Sequence, residues 1–118
     1  MATGVFVEDG EEYFVDTIIA ADAMKYIGTG TGSTAADKSD TDVETTDGEN
    51  YATGVMSEAD ASTIQVVGTI SYTGSHTLRE LVLKANSDAG PLCVRSVFDA
   101  VNVENGDSVE WTFQIELT

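Results

Sequence analysis

Apolar and polar residues alternate strictly near the C-terminal end of the chain, and this pattern restricts the possible folds more than any other feature. Apolar side chains occupy every second position from Val109 to Leu117, with polar residues between them. An extended strand directs alternate side chains to opposite faces, so the pattern predicts a β-strand with one buried face. The turn residues Asn105 to Asp107 and the Val-rich run Phe98 to Val103 precede it. We therefore predict a hairpin from about Val101 to Leu117.

Similar short apolar runs recur through the middle of the chain. Alternation extends from Ile64 to Tyr72, and the runs Leu78 to Leu83 and Leu92 to Phe98 are separated by residues typical of a turn. Strands at intervals of about ten residues are typical of an antiparallel sandwich or barrel. We predict an all-β fold, a jelly-roll-like antiparallel β-sandwich. The 118 residues have room for one such domain, residues 1–118.

The N-terminal third is less regular. The apolar residues between Glu11 and Tyr26 suit a short amphipathic helix as well as an irregular strand, and we favour a helix near Val15 to Met24. As an alternative, Met1 to Met24 could form an arm that adds a strand to the sheet edge of a neighbouring subunit. The stretch Thr29 to Asn50 is nearly all small and acidic, which predicts a long surface loop. The first residues lack the basic and apolar regions of a secretory signal, so we expect a soluble protein without one.

The chain carries 21 Asp and Glu residues against five Lys and Arg, a formal net charge of −16. Such a surface repels phosphates, so we expect neither nucleic acid nor anionic membranes as partners. A disordered acidic tail is excluded, because 42% of the residues are hydrophobic and the acidic residues are dispersed among them. An ordinary acidic protein would fit. The scarcity of lysine favours an origin in an extreme halophile or one of its viruses, where molar salt screens the repulsion.

The most motif-like string is Tyr26 to Gly32, which reads Tyr-Ile-Gly-Thr-Gly-Thr-Gly. A dinucleotide-binding fingerprint would need a third glycine at position 33, where the chain has Ser33, followed by a helix. A phosphate-binding Walker loop would need a lysine, and the string contains none. We interpret the string as a strand that ends in a glycine-rich turn.

The acidic loop that follows, from Asp37 to Asn50, resembles a calcium loop at first sight. An EF-hand, however, requires glycine where this chain has Thr45, and a bidentate acid where it has Tyr51. A solvated acidic loop and a cation site of another kind both remain as interpretations. The acidic residues concerned are Asp40, Asp42, Glu44, Asp47 and Glu49.

Nothing in the sequence indicates an enzyme or a bound cofactor, and apart from the open question of the acidic loop we assign no metal ligand. His76 is the only histidine and has no second soft ligand or catalytic partner at a meaningful spacing. Cys93, the only cysteine, cannot form an intrachain disulfide. It stands in an apolar run, so we predict a small buried side chain with no neighbour that activates it as a nucleophile.

Glu80 and Arg95 each interrupt an apolar strand run. If the two runs form a hairpin, one simple register places these residues opposite each other. We therefore predict a structural ion pair between them, at or near an interface.

Five stretches of the chain together carry a resemblance: Tyr26 to Gly32, Asp40 to Thr41, Leu78 to Leu83, Arg95 to Phe98 and Val101 to Phe113. In this order and spacing they are similar to small virion structural proteins of tailed phages, over roughly Tyr26 to the C-terminus. The resemblance implies a compact β-sandwich module that multimerises on the particle, as a head decoration protein, turret, fibre or tail component. The stronger acidity here suggests a virus of a halophilic host.

On this basis we expect a non-enzymatic capsid decoration or turret protein that binds the outside of the shell as a homo-oligomer. Its partners would be further copies, the major capsid protein or other virion proteins. It would be made in the host cytoplasm and located on the particle surface. A tail or baseplate subunit of the same kind of virus is one alternative, and a carbohydrate- or cation-binding adhesion module is the other. A carbohydrate- or cation-binding adhesion module would need exposed aromatic residues. Most of the candidates, however, stand where strands alternate into a core: Tyr13, Tyr26, Tyr51, Tyr72 and Trp111.

Overall fold

A computed structural model describes residues 2–117 of the chain. One helix, α1 (Glu8–Ala21), is followed by seven strands. The strands are β1 (Met24–Gly30), β2 (Ala52–Thr53), β3 (Val55–Asp60), β4 (Thr63–Ser71), β5 (His76–Ala85), β6 (Leu92–Val103) and β7 (Ser108–Glu116).

The strands form two antiparallel sheets that pack face to face. The first sheet has the order β2-β1-β5-β6, and the second has the order β3-β4-β7. The predicted antiparallel β-sandwich with a short N-terminal helix is therefore confirmed.

Alternating apolar residues of both sheets fill the space between them. Ile64, Val66 and Ile70 of β4 are buried, and their register partners on β7 include Phe113 and Val109. The first sheet contributes its own buried residues to the same core, among them Ile27, Leu78, Leu81 and Leu83. The strict alternation in β7 therefore marks one core-facing side, as predicted.

The helix starts and ends earlier than expected. It spans Glu8–Ala21, and Met24, the predicted last helical residue, begins β1 instead. Acidic residues in the first turn favour the start, because they lie at the positive end of the helix dipole. At the other end, Asp22 adopts a left-handed conformation with φ 49°, and its N–H is bonded to the carbonyls of Ile18 and Ile19.

The predicted hairpin from Val101 to Leu117 is wrong. Val101 pairs with Leu78 of β5, whereas β7 pairs along its whole length with β4 in the other sheet. The intervening turn binds the end of β4 instead of closing a hairpin, because the Tyr72 backbone is hydrogen-bonded to Gly106 and Asp107 at 2.8 Å each. A period of two indicates a buried face, and it leaves the choice of partner strand open.

Candidate functional site

The glycine-rich string forms the end of β1 and continues beyond it, and its alternating glycines share one face of the sheet. Ile27 is buried in the core, so Gly28, Gly30 and Gly32 are directed to the opposite, outer face. A Cβ atom at Gly28 would collide with the ring of Tyr51, and one at Gly30 with the carbonyl oxygen of Thr45. The glycines therefore provide the space in which Glu44, Thr45 and Tyr51 of the loop, residues 31–51, pack against the outer face of the sheet.

A single buried carboxylate holds this loop by its backbone. Glu80 of β5 has no solvent-exposed surface. Its Oε2 accepts hydrogen bonds from the N–H groups of Gly32 at 2.6 Å and Thr45 at 3.0 Å, and its Oε1 accepts one from Glu44 at 2.8 Å. The start of the loop and its middle segment, Glu44 to Thr45, are thereby fixed to one point on the sheet.

Arg95 of β6 completes this arrangement. Its Nε donates to Glu80 Oε1 at 3.0 Å and its Nη1 donates to Asp40 Oδ2 at 3.0 Å. The predicted ion pair between Glu80 and Arg95 is confirmed, although the two residues are diagonal neighbours, since Arg95 lies opposite Val82. Burial alone would lower the pKa of Arg95, but its bonds to Glu80 and Asp40 outweigh burial and raise that pKa.

A second basic residue, Lys84, attaches the loop further along β5, the strand that carries Glu80. Lys84 is buried, and its Nζ lies 2.6 Å from Asp42 Oδ1 and 5.1 Å from the centre of the Tyr51 ring. Burial alone would lower the pKa of Lys84, but the bonds to Asp42 and Tyr51 outweigh it and raise that pKa. We refer to Glu80, Lys84 and Arg95, with the residues they hold in the loop 31–51, as the loop clamp.

The far end of the loop is attached to the turn between β4 and β5. Glu49 accepts hydrogen bonds from the Thr73 hydroxyl at 2.7 Å and from the backbone N–H groups of Thr73 at 2.9 Å and Gly74 at 3.1 Å. His76 Nε2 lies 2.8 Å from the same carboxylate. These hydrogen bonds lower the pKa of Glu49 to about 2, and the bond from the Thr73 hydroxyl has the largest effect.

The five acidic residues that resemble a calcium loop do not converge on one point. Each is hydrogen-bonded to a different group, although Glu44 Oε1 also lies 3.9 Å from Arg95 Nη2. Within residues 2–117, no three His, Cys, Asp or Glu side chains are grouped closely enough to hold a metal ion. The partners are Arg95 for Asp40, Lys84 for Asp42, the Thr34 N–H for Glu44, Thr29 for Asp47 and Thr73 for Glu49.

The prediction that Cys93 is buried is wrong. Cys93 is exposed, because it is the extra residue of a β-bulge: Val94 pairs with Leu83, and Leu92 with the next residue, Lys84. The surrounding protein still shields its thiol enough to raise the pKa, which disfavours the reactive thiolate.

Beside the clamp, the loop and the start of β6 enclose a cleft of about 590 Å³. Asp40 and Arg95 line it, and they are already bonded to each other. The arrangement fixes a loop to a sheet, and its central carboxylate has no contact with solvent through which it could act on a substrate.

The sequence predicted the ion pair between Glu80 and Arg95. It did not predict the contacts of Lys84 and Glu49, or the role of the glycines in making room for the loop. The signal for the glycines was present. Glycines at alternate positions, two in β1 and one just beyond it, leave one face without side chains, which indicates that another part of the chain packs there. The partners of Lys84 and Glu49 are 42 and 24 residues away in sequence, respectively, and no local pattern connects them.

Comparison of the sequence with family models and with curated proteins identifies no relative. No family model matches the chain, and no curated protein matches it in sequence. Within residues 2–117, no helix combines the length and the apolar character needed to cross a bilayer.

Proposed function

We propose that the chain is a non-enzymatic structural protein of a tailed virus with a halophilic host. In this proposal it is a decoration or turret protein that binds the outside of the capsid shell as a homo-oligomer. It acts by packing against other proteins and transforms no substrate.

One observation carries the proposal: stretches that resemble phage virion proteins meet in the loop clamp. Gly32 and Asp40 lie in the loop, and Glu80 and Arg95 lie on the strands that hold it. A catalytic motif presents free polar groups to a cleft. In this motif the polar groups attach a loop to a sheet, and Asp40 and Arg95, which line a cleft, are bonded to each other. That use suits a rigid module whose outer surfaces make the functional contacts.

The open sheet edges support self-assembly. β6 is an edge strand of 12 residues without proline, and β3, β7 and β2 are the other edges. Edge strands with unpaired backbone groups readily bind other chains, and a symmetric oligomer would cover them.

The proposal is tested first by locating the protein. Antibody labelling of purified virus particles, followed by electron microscopy, should place the chain on the shell. Labelling of the tail would support a tail or baseplate subunit instead, and a particle without the protein would contradict both assignments.

The oligomer is tested by light scattering of the purified protein from low to molar salt. We expect the molar mass to rise to a defined multiple of 12.5 kDa at high salt, as screening weakens the repulsion between copies. A monomer at every salt concentration would contradict self-assembly. Glycan or calcium binding by that monomer would favour the adhesion module.

A further inference from the structure

The exposed apolar side chains are concentrated at the N-terminal end of the structure. Seven large hydrophobic residues within residues 2–117 are exposed, and five of them lie between positions 5 and 14. Exposed apolar patches of this kind mark interaction surfaces more often than scattered single residues do. These five are Val5, Phe6, Val7, Tyr13 and Phe14, which we call the aromatic patch.

The spacing of residues along α1 explains how the patch forms. Val15, Ile18 and Ile19 lie at helical spacing and pack against the core. A neighbouring, uncharged stripe of the helix follows the spacing i, i+3, i+4, i+7 and consists of Gly10, Tyr13, Phe14 and Thr17. Tyr13 on this stripe is 75% exposed.

The residues before the helix extend this stripe. The ring of Phe6 lies against the Phe14 ring in an edge-to-face arrangement, with 6.1 Å between ring centres. It also covers Gly10, since a Cβ atom there would lie 2.9 Å from Phe6 Cε1. The Phe6 side chain therefore packs against the outer surface of α1, and 56% of it remains exposed to solvent.

The other exposed side of α1 is acidic. Glu8, Glu12 and Asp16 stand four residues apart and so share one side of the helix. The pKa of Glu58 on β3 is raised, mainly by burial and next by the negative charges of Asp16 and Glu12. The helix and the strand therefore present like charges to each other. A cleft of about 360 Å³ lies at the N-terminal end of α1. It is lined by five acidic side chains and no basic one: Glu8, Asp9, Glu11, Glu12 and Asp60.

A second copy of this chain has few basic side chains with which to match these acidic residues. Of the five Lys and Arg residues, Lys25 is paired with Asp22, Lys84 with Asp42 and Arg95 with Glu80. Within residues 2–117, only Lys38 and Arg79 have no carboxylate within 4.0 Å. Like-charged surfaces in contact are disfavoured by several kcal/mol.

We propose that the aromatic patch and the acidic side of α1 together bind a basic amphipathic helix of a different protein. The apolar stripe of that helix packs against Tyr13, Phe14 and Phe6. Its Lys or Arg side chains pair with Glu12 and Asp16 and enter the acidic cleft. Apolar anchors flanked by complementary charges are the recognition mode of a helix bound along a surface. The inference does not depend on the partner being a virion protein.

The test uses the full chain and a synthetic helical peptide with a Leu stripe at helical spacing flanked by Lys. Titration calorimetry should detect binding of this peptide. The same Leu stripe flanked by Glu, and a Lys peptide with Gln in place of Leu, should bind at least tenfold more weakly, because each lacks one of the two required features.

Two variants of the protein examine the two halves of the surface. Tyr13→Gln, which keeps a good helix former at an exposed position, should weaken peptide binding about tenfold. Glu12→Gln combined with Asp16→Asn should weaken binding and also reduce its dependence on salt. The double variant relieves repulsion with Glu58, so it should fold at least as well as the wild type.

Val55→Thr and Val101→Thr are the matched controls, since both residues are exposed and lie on strands outside the patch. They should leave peptide affinity unchanged. Failure of the wild type to bind the Lys peptide, or equal binding of the Lys and Glu peptides, would overturn the inference. So would loss of self-association on Tyr13→Gln, because that result would assign the patch to a second copy. Absence of self-association in the wild type would count against the proposed homo-oligomer alone.

Discussion

Single buried charges determine where the longest loop of this protein lies. Glu80 accepts three hydrogen bonds from loop backbone groups in addition to its bond with Arg95. An unpaired buried N–H costs about 1–3 kcal/mol, and an uncompensated buried charge costs more. Loss of this one carboxylate therefore affects both the sheet and the loop.

We expect Glu80→Gln to lower the free energy of unfolding by about 2–4 kcal/mol, because the amide of Gln cannot accept all four hydrogen bonds and leaves Arg95 undercompensated. Urea denaturation followed by circular dichroism would measure it. Glu104→Gln, at an exposed position, serves as the control and should change stability by less than about 0.5 kcal/mol. Equal effects of the two substitutions would contradict the role of Glu80.

Glu49 makes stability depend on pH. Its pKa in the folded protein is about 2, below the ordinary value of 4.5. A lowered pKa in the folded state stabilises the protein above the unfolded pKa, and this contribution is lost as the pH falls from about 4.5 through 2. In urea titrations, the stability difference between wild type and Glu49→Gln should shrink as the pH falls from about 4.5 towards 2. A difference that does not change over this range would refute the assignment.

At the scale of elements, the outer face of the first sheet is built to receive a loop. The glycines of β1 remove the side chains from one face, and β5 supplies Glu80 and Lys84 on the same face. Loop residues Thr45 and Thr46 then lie next to β1, where Thr46 forms a bridge with Gly30. This part of the loop is thus hydrogen-bonded and packed against the first sheet.

We expect Gly30→Ala to displace this loop. The new Cβ would collide with the Thr45 carbonyl oxygen and lie 2.7 Å from Val43 Cγ2, and overpacking of this kind costs about 1–3 kcal/mol. Hydrogen exchange should accelerate in residues 31–51 while the core strands stay protected. Gly4→Ala is the control, since its Cβ would have no heavy atom within 4 Å. Unchanged exchange in the loop of Gly30→Ala would show that the packing is loose.

At the scale of the whole molecule, few positive charges balance a net charge of −16. Two of the five basic residues, Lys84 and Arg95, hold the loop, and Lys25 pairs with Asp22 at the end of the helix. The remaining acidic residues repel one another across a molecule whose shortest dimension is 24 Å. At low ionic strength the Debye length is comparable to that dimension, so the repulsion opposes folding.

The melting temperature should therefore rise with potassium chloride concentration, steeply at first and then more slowly as screening saturates. Differential scanning calorimetry would measure this. The combined substitution Glu8→Gln, Glu12→Gln and Asp16→Asn changes the net charge from −16 to −13 and should reduce the dependence on salt. The same slope in both proteins would show that salt acts through something other than charge repulsion.

The local patterns of the sequence predicted the strands β1, β4, β5, β6 and β7 and the buried face of β7, whereas β2 and β3 were not predicted. The alternation in β7, the turn between β5 and β6 and the helical spacing of Val15, Ile18 and Ile19 all appear in the structure. Each depends on residues a few positions apart, where side-chain direction follows directly from the backbone period.

Only the tertiary structure decided which strands pair and where the acidic loop lies. The period of β7 fits a hairpin with β6 as well as it fits pairing with β4, and packing selected β4. The partners of Lys84 and Glu49, and the loop that occupies the space above the glycines, come from distant parts of the chain. Such contacts depend on how the faces of the sheets and the loop pack together, and the spacing of residues along the chain does not specify that packing.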